Sequence, residues 1–275
     1  MHRLYSLLFL SAAPTTENHN QASVDGQQFG NVSFSDVFFP GAFALPFPQD
    51  VTIVTPDGVY FYAHSTAILA ESSNEFAGLL SAAQLSAASS ASGEYGVVPV
   101  SELSTVLNIV LHVIYGGSFA PYNTSTDDIV AAVDALHKYG VSVRKHLSVA
   151  HGSPLLSDIT TQMRTSRSAP LHFYALAGKY DSYDLAARAS AYLLAVKLNE
   201  VPLDLIDRMG PVYLKRLIAL QQGRLDILRD LLAGPPSTHQ ITPSCSSEDQ
   251  AALARAWQLV GAYFIWEMRP GTSAL

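Results

Sequence analysis

Residues Asp50–Leu80, DVTIVTPDGVYFYAHSTAILAESSNEFAGLL, change their hydrophobic period halfway along. Val51, Ile53 and the run Val59–Ala63 supply the β-branched and aromatic side chains that strands favour. Between them, Thr55-Pro56-Asp57-Gly58 is turn chemistry in residue order. From Ser65 onward Ile68, Leu69, Phe76, Leu79 and Leu80 recur at helical spacing, with Ser and Asn between them where one helix would end and another begin. The stretch predicts strand, turn, strand and then a helical pair with one apolar face. A unit of that size cannot bury the face by itself and must pack against residues further along.

Those residues follow in order. SAAQLSAASSASGEYG, after Leu80, is a small-residue tract that reads as a flexible insertion or a helix end running into a loop. Val97–Val100 restores a strand, with Pro99 pushing it towards a sheet edge because proline has no N–H to donate. Glu102-Leu103, Val106-Leu107, Val110-Leu111 and Ile114 then trace a helical stripe that stops at Tyr115-Gly116-Gly117. Thr126-Asp127-Asp128 opens the next helix, a capping hydroxyl followed by two acids where the helix dipole favours them. That helix reads on through IVAAVDALHKYGV.

Four ordered segments within Asp50–Val141 resemble the core of a BTB/POZ domain: Asp50-Val51 leading to Phe61-x-Ala63-His64, then Leu69-Ala70-x-x-Ser73-x-x-Phe76, Tyr115-x-Gly117 and Lys138-Tyr139. The resemblance implies an α+β fold over residues 32–147, a small β-sheet packed against a helical cluster, and a protein-interaction module rather than an enzyme. It also implies structural roles for Asp50, Phe61, Ala63, His64, Leu69, Ser73, Phe76, Tyr115, Gly117, Lys138 and Tyr139. In some BTB domains an N-terminal strand and helix exchange between protomers. Val32, Phe34, Val37, Phe38 and Phe39 are the matching dimer segment here, although Pro40, Pro46 and Pro48 exclude a long helix. In transcription-factor members a basic residue follows the histidine and builds a charged pocket; Ser65 stands there in this chain, which weakens a corepressor role. Members that adapt substrates to a cullin ubiquitin ligase often carry a hydrophobic-x-acid step in the loop before the last strand. Here that step has Ser92 before Glu94 where an apolar residue is wanted.

The second half is helical in texture. Residues 148–169 read as a linker with a helical piece at Leu155–Met163. Pro170 suits a first helical turn, Asp181-Ser182 can cap a helix over Tyr183–Leu198, and a short helix Leu203–Met209 ends at Gly210 before Pro211 starts another. Residues 170–233 resemble the BACK-like α-helical extension that follows BTB domains in many fungal proteins, including those of mushroom-forming fungi. After a second linker at 234–246, Ser247-Glu248-Asp249-Gln250 reads as a capping box for a C-terminal helix over 247–268. Its face of Trp257, Leu259, Val260, Phe264 and Ile265 is expected to dock on the helical extension.

Composition narrows the function class. With 48% hydrophobic and 14% charged residues in 275, the chain can bury a full core and is not disordered throughout. A net charge of −7 without any basic run disfavours nucleic acid as a direct partner. One cysteine, Cys245, excludes an intramolecular disulfide framework and a thiolate metal cluster. Phosphate-binding glycine loops, G-x-S-x-G and H-E-x-x-H are all missing. His112 and His137 have no second ligand at helical spacing, and Asp127-Asp128 is explained by the helix start.

No catalytic residue, cofactor or metal site is therefore assigned. Residues 1–31 read as a disordered leader. Leu4–Leu10 with Ser11-Ala12-Ala13 has the outline of a short secretory signal, and a secreted effector would hang on cleavage there, whereas the resemblance implies a cytoplasmic or nuclear protein. No apolar run is long enough to span a membrane. The expected function is a BTB-mediated scaffold or oligomerisation protein whose partner is itself, as a homodimer, or another protein. The alternatives are a cullin-ligase substrate adaptor and, from another class, a small-molecule enzyme with an unrecognised site between the two halves.

Overall fold

The computed structural model describes residues 33–42, 49–81 and 96–267. The chain is mixed α+β and divides into two compact units, the first ending at Thr165 and the second beginning at Ser166.

In the first unit four strands form one sheet in the order β1-β3-β2-β4: β1 (Ser33–Phe34), β2 (Val51–Val54), β3 (Val59–Ala63) and β4 (Gly96–Pro99). β2 and β3 are the antiparallel hairpin, with Val51 opposite Ala63 and Val54 opposite Tyr60. Its turn is closed by Thr55, whose hydroxyl accepts the Val59 N–H at 3.2 Å, and by Gly58 at a φ of +79°. β4 returns parallel to β2 with Val98 beside Ile53, and it occupies the edge at which Pro99 leaves no ladder bond unmade. Val51, Ile53, Phe61 and Ala63 are buried, and so is Thr52 between the first two, so β2 is covered on both faces.

Behind the sheet lie α1 (Ser65–Glu71), α2 (Ser104–Ile114), α3 (Thr126–Lys138), α4 (Val143–His146) and α5 (Pro154–Thr165). α2 is the central element, buried at every position from Val106 to Ile114 except Asn108. α3 begins one residue earlier than expected. Ser125, not Thr126, is the cap, its hydroxyl accepting the Asp128 N–H at 3.0 Å.

Two segments depart from the sequence reading. Residues 148–169 are not a plain linker. Their helical piece extends to the whole of α5, which buries Leu155, Leu156, Ile159 and Met163 in the first unit. The second departure follows α1, which ends at Glu71 with Ser72 extended; Glu75, Phe76 and Ala77 then take φ values of +55°, +57° and +58°, and Gly78 continues at +79°. The second helix of the expected pair is thus a left-handed turn. Side-chain spacing repeats alike in either hand, so the pattern Phe76, Leu79, Leu80 does not reveal this. Each left-handed non-glycine residue costs about 1–2 kcal/mol.

Local bonds hold the turn in place. Phe76 N–H donates to Ser72 Oγ at 2.8 Å, Ala77 N–H donates to Asn74 Oδ1 at 2.8 Å, and Asn74 Nδ2 reaches Lys138 O at 2.9 Å. The Asn74 side chain also fills the space over Gly140, where a Cβ would stand 2.5 Å from Oδ1.

The second unit contains α6 (Ala169–Lys179), α7 (Tyr183–Ser190), α8 (Leu203–Ala233) and α9 (Ser247–Glu267). α8 breaks at Gly210 (φ +68°, ψ 171°) with Pro211 next, as the sequence predicts. α7 stops at Ser190 rather than Leu198. Gln221 Nε2 on α8 donates to Leu193 O and Val196 O at 3.2 and 2.7 Å, and Arg224 donates to Leu194 O, so these carbonyls are satisfied without further helix. α9 is capped by the pair Ser246 and Asp249, one residue before the expected box: Ser246 N–H donates to Asp249 Oδ2 at 2.8 Å and Asp249 N–H to Ser246 Oγ at 3.2 Å. Among the described residues no helix is long and apolar enough to cross a membrane.

The left-handed turn makes a prediction of opposite sign to that of a helix. Ala77 is exposed at φ +58°, so Ala77→Gly should raise stability by about 1 kcal/mol in urea unfolding. Were the segment right-handed, the same change would lower stability by about 1 kcal/mol.

Candidate functional site

The signature residues of Asp50–Tyr139 come together in the first unit as a set of internal fastenings. Three helical starts share one device. α1 begins after His64 and α2 after Leu103, and neither N-cap makes a side-chain bond. A carboxylate from elsewhere in the chain serves instead. Asp50 accepts the Ser65 N–H at 2.7 Å and its hydroxyl at 2.5 Å. Asp57, in the hairpin turn, accepts the Ser104 N–H at 3.1 Å and its hydroxyl at 2.5 Å. Asp158 on α5 does the same for the 3₁₀ turn Ala120–Tyr122, taking the Phe119 N–H and the Ser118 hydroxyl at 2.9 Å each.

Burial alone would raise the Asp57 carboxyl, but the bonds from Ser104 and Thr55 outweigh it and hold it below the ordinary carboxylate range. At Asp158 burial wins over the same kind of bonds and the carboxyl is raised.

His64 is buried and bound to Tyr115. The Tyr115 hydroxyl accepts the His64 backbone N–H and shares a hydrogen bond with Nδ1, both at 2.8 Å. Gly117 N–H closes the end of α2 on His112 O at 2.7 Å. Phe76 stacks on Tyr139 with ring centroids 3.8 Å apart and planes 9° from parallel. Ser72 Oγ donates to Tyr139 O at 2.6 Å and Ser73 Oγ to Gly140 O at 2.9 Å.

The Tyr139 hydroxyl donates to Glu102, which also holds Lys138 Nζ at 2.7 Å. Burial, then Glu102, pushes the Tyr139 phenol far above its ordinary value. Phe61 and Ala63 are core residues, and Leu69 is half-buried. Each signature position is thus engaged within its own unit.

Sequence reasoning missed the partners: Asp57, Glu102 and Asp158, and a further cluster of Glu71, Lys145 and His146. Lys145 Nζ lies 2.7 Å from Glu71 Oε2 and His146 Nε2 3.3 Å from it. The His146 bond, against the opposing effect of burial, together with Lys145 holds the Glu71 carboxyl down to about 2. Ser153 Oγ is 3.2 Å from His146 Nδ1, so the three side chains have the connectivity of an acyl-transfer triad. Ser153 Oγ, however, accepts the Leu155 N–H at the start of α5, and Lys145 neutralises the carboxylate; the cluster ties α1 to α4 and α5 as an ion pair with a cap. Among the described residues no group of three or more His, Cys, Asp or Glu side chains is placed to hold a metal ion.

The proposed dimer segment is used within the chain. β1 pairs in parallel with its own β3, and Phe38 is fully buried against Phe61, His112 and Tyr115 with centroids 6.2, 5.2 and 5.6 Å away. Phe38 is therefore a core residue of the first unit. Phe34, 49% exposed, and Phe39 face outward, with Phe34 against Tyr60 and Tyr62; Val37 is half-buried and Val32 lies outside the described residues. So do Ser92 and Glu94 of the small-residue tract, and the leader 1–31.

No protein-family model, no curated protein and no solved structure matches this chain.

Asp57→Ala should cost about 1 kcal/mol in urea unfolding, as loss of a helix cap does, whereas Asp57→Asn, which keeps an acceptor oxygen, should cost less. Equal losses from the two would remove the capping role.

Acid should destabilise the first unit in two steps. His112 is buried with Nδ1 2.7 Å from Asn108 O, and burial, opposed by that bond, lowers it from 6.5 to about 4. Between those values the unfolded chain takes up a proton that the folded chain refuses, so stability falls with pH. Glu71 contributes fully above about pH 4.5 and its contribution is lost as pH falls towards 2. In urea midpoints measured against pH, His112→Phe should flatten the upper step and Glu71→Gln the lower one. An unchanged slope in either variant would overturn that assignment.

Proposed function

We propose that this chain is a non-enzymatic interaction protein, with a BTB/POZ-type first unit followed by a BACK-like helical unit, acting in the cytoplasm or nucleus as a scaffold or oligomerisation protein. One observation carries the reading. The polar groups of the signature are spent on fastening the unit together, Asp50 on Ser65, His64 on Tyr115 and Tyr139 on Glu102, while apolar side chains such as Phe34 and Phe39 are turned outward. A carboxylate or imidazole kept for chemistry would be free to meet a substrate; these are committed to internal donors and acceptors. The mixed architecture adds support, because a small sheet packed against a helical cluster is what the resemblance implies.

The test is a calorimetric titration of the full chain against the N-terminal region of a BTB-binding cullin, with molar mass followed by light scattering. The scaffold reading expects no heat of binding and a mass above that of one chain. Binding at micromolar strength, about −8 kcal/mol or better, would replace it with the ligase-adaptor reading. A single-chain mass without cullin binding would remove both.

A further inference from the structure

α9 turns one narrow stripe to its own chain, made of Ala254, Trp257, Gly261 and Ile265. Trp257 Nε1 donates to Leu232 O on α8 at 3.1 Å, and a Cβ on Gly261 would come within 2.6 Å of the same oxygen, so the two helices touch backbone to backbone. The expected docking of Trp257 and Ile265 is there. The rest of the expected face is not docked. Leu253, Leu259, Val260, Tyr263, Phe264 and Trp266 stand in solvent, Leu259 at 75% exposure and Trp266 at 83%. Ile227 and Leu231, one turn apart near the end of α8, are exposed as well. A helix that is apolar on almost every side belongs in an interior.

We infer that this outer face of α8 and α9 is the interface on which a second copy of the same chain docks, in a symmetric homodimer. Three arguments select that occupant. The first is area. Three aromatic and three aliphatic side chains exposed to this degree offer on the order of 600–800 Å², close to the roughly 800 Å² per partner of a stable interface.

The second is charge. α9 carries Glu248, Asp249 and Glu267 against Arg255, whereas α8 from Pro211 onward carries Lys215, Arg216, Arg224 and Arg229 against Asp226 and Asp230. A second copy brings an acidic helix to a basic one, while an anionic bilayer surface would be repelled by α9. The third is supply. A patch this apolar aggregates if left bare, so its cover must be present wherever the chain is, and another copy always is.

The inference rests on the reading of the chain as an oligomerising protein but locates the contact in the second unit. The experiment separates the two. Sedimentation of the full chain over roughly 1–100 µM should give twice the mass of one chain. Leu259→Glu with Trp266→Glu should halve it with the circular-dichroism spectrum unchanged, while Phe34→Glu with Phe39→Glu in the first unit should leave it doubled. Tyr263→Ala, a milder change on the same face, should weaken the dimer about tenfold with the spectrum unchanged.

Loss of the dimer in the Phe34/Phe39 variant alone would overturn this interface and leave the oligomerisation reading standing. A wild-type chain at single-chain mass, or a monomer captured by phosphatidylserine vesicles, would overturn the inference outright. So would a Leu259/Trp266 variant that stays dimeric, or a Tyr263→Ala chain that dimerises as tightly as the wild type.

Discussion

Asp50 and Asp57 stand at the two ends of β2, and each holds the start of a helix that cannot cap itself. The rest of the first unit depends on this pairing. His64 precedes α1 and Leu103 precedes α2; neither makes a side-chain cap, so each helix would begin with unmet N–H groups beside a buried sheet. A carboxylate at that place meets the N–H, takes the serine hydroxyl and answers the helix dipole at once. Because both carboxylates belong to one hairpin, the hairpin sets where α1 and α2 begin, and α2 is the helix around which the core is built. Asp158 repeats the device for the turn at Ala120–Tyr122 and thereby brings α5 into the same unit.

Much of this architecture is legible in the residues themselves. The β2–β3 hairpin follows from β-branched and aromatic residues on either side of Thr55-Pro56-Asp57-Gly58, the edge position of β4 from Pro99, and the break in α8 from Gly210-Pro211, because in each case the deciding chemistry lies within a few residues. The caps on Ser65 and Ser104 are not legible. Their acceptors lie 15 and 47 residues away, and a turn aspartate looks the same whether or not it reaches a helix. Local signals do mark caps, but only to within a residue, as Ser125 for Thr126 and Ser246 for Ser247 illustrate. The reason is that adjacent hydroxyls compete for the same N–H and the sequence does not rank them. The linker assigned to 148–169 fails for a different reason: its Ser and Thr residues face outward on α5 while four spaced apolar residues anchor it.

The candidate site was legible as a set of residues and not as a geometry. The motif includes Phe76, Ser73, Lys138 and Tyr139, yet nothing in their spacing shows that Phe76 stacks on Tyr139 from a left-handed turn. That turn persists because it is over-determined. Ser72, Ser73 and Asn74 all bond to the end of α3, and Gly140 leaves room for Asn74 where any side chain would collide. The stack and these bonds offset a backbone cost that no single one of them would cover.

The second unit is held on a different principle. α6 and α8 lie together through Tyr174, whose hydroxyl donates to Tyr213 O at 3.0 Å, and Tyr213, whose own hydroxyl reaches Asp181 at 3.0 Å. Gln221 and Arg224 then bind the carbonyls that end α7. Burial thins along the chain from α6, with seven buried positions in 11 residues, to α9, with Gly261 alone in 21. A helix in water draws most of its stability from the face it buries rather than from intrinsic propensity. Among the described residues α9 gains that support from one stripe, the Ser246–Asp249 cap and the Gln250 bond to His239 O, and its remaining apolar surface is the part that the inferred second copy would cover.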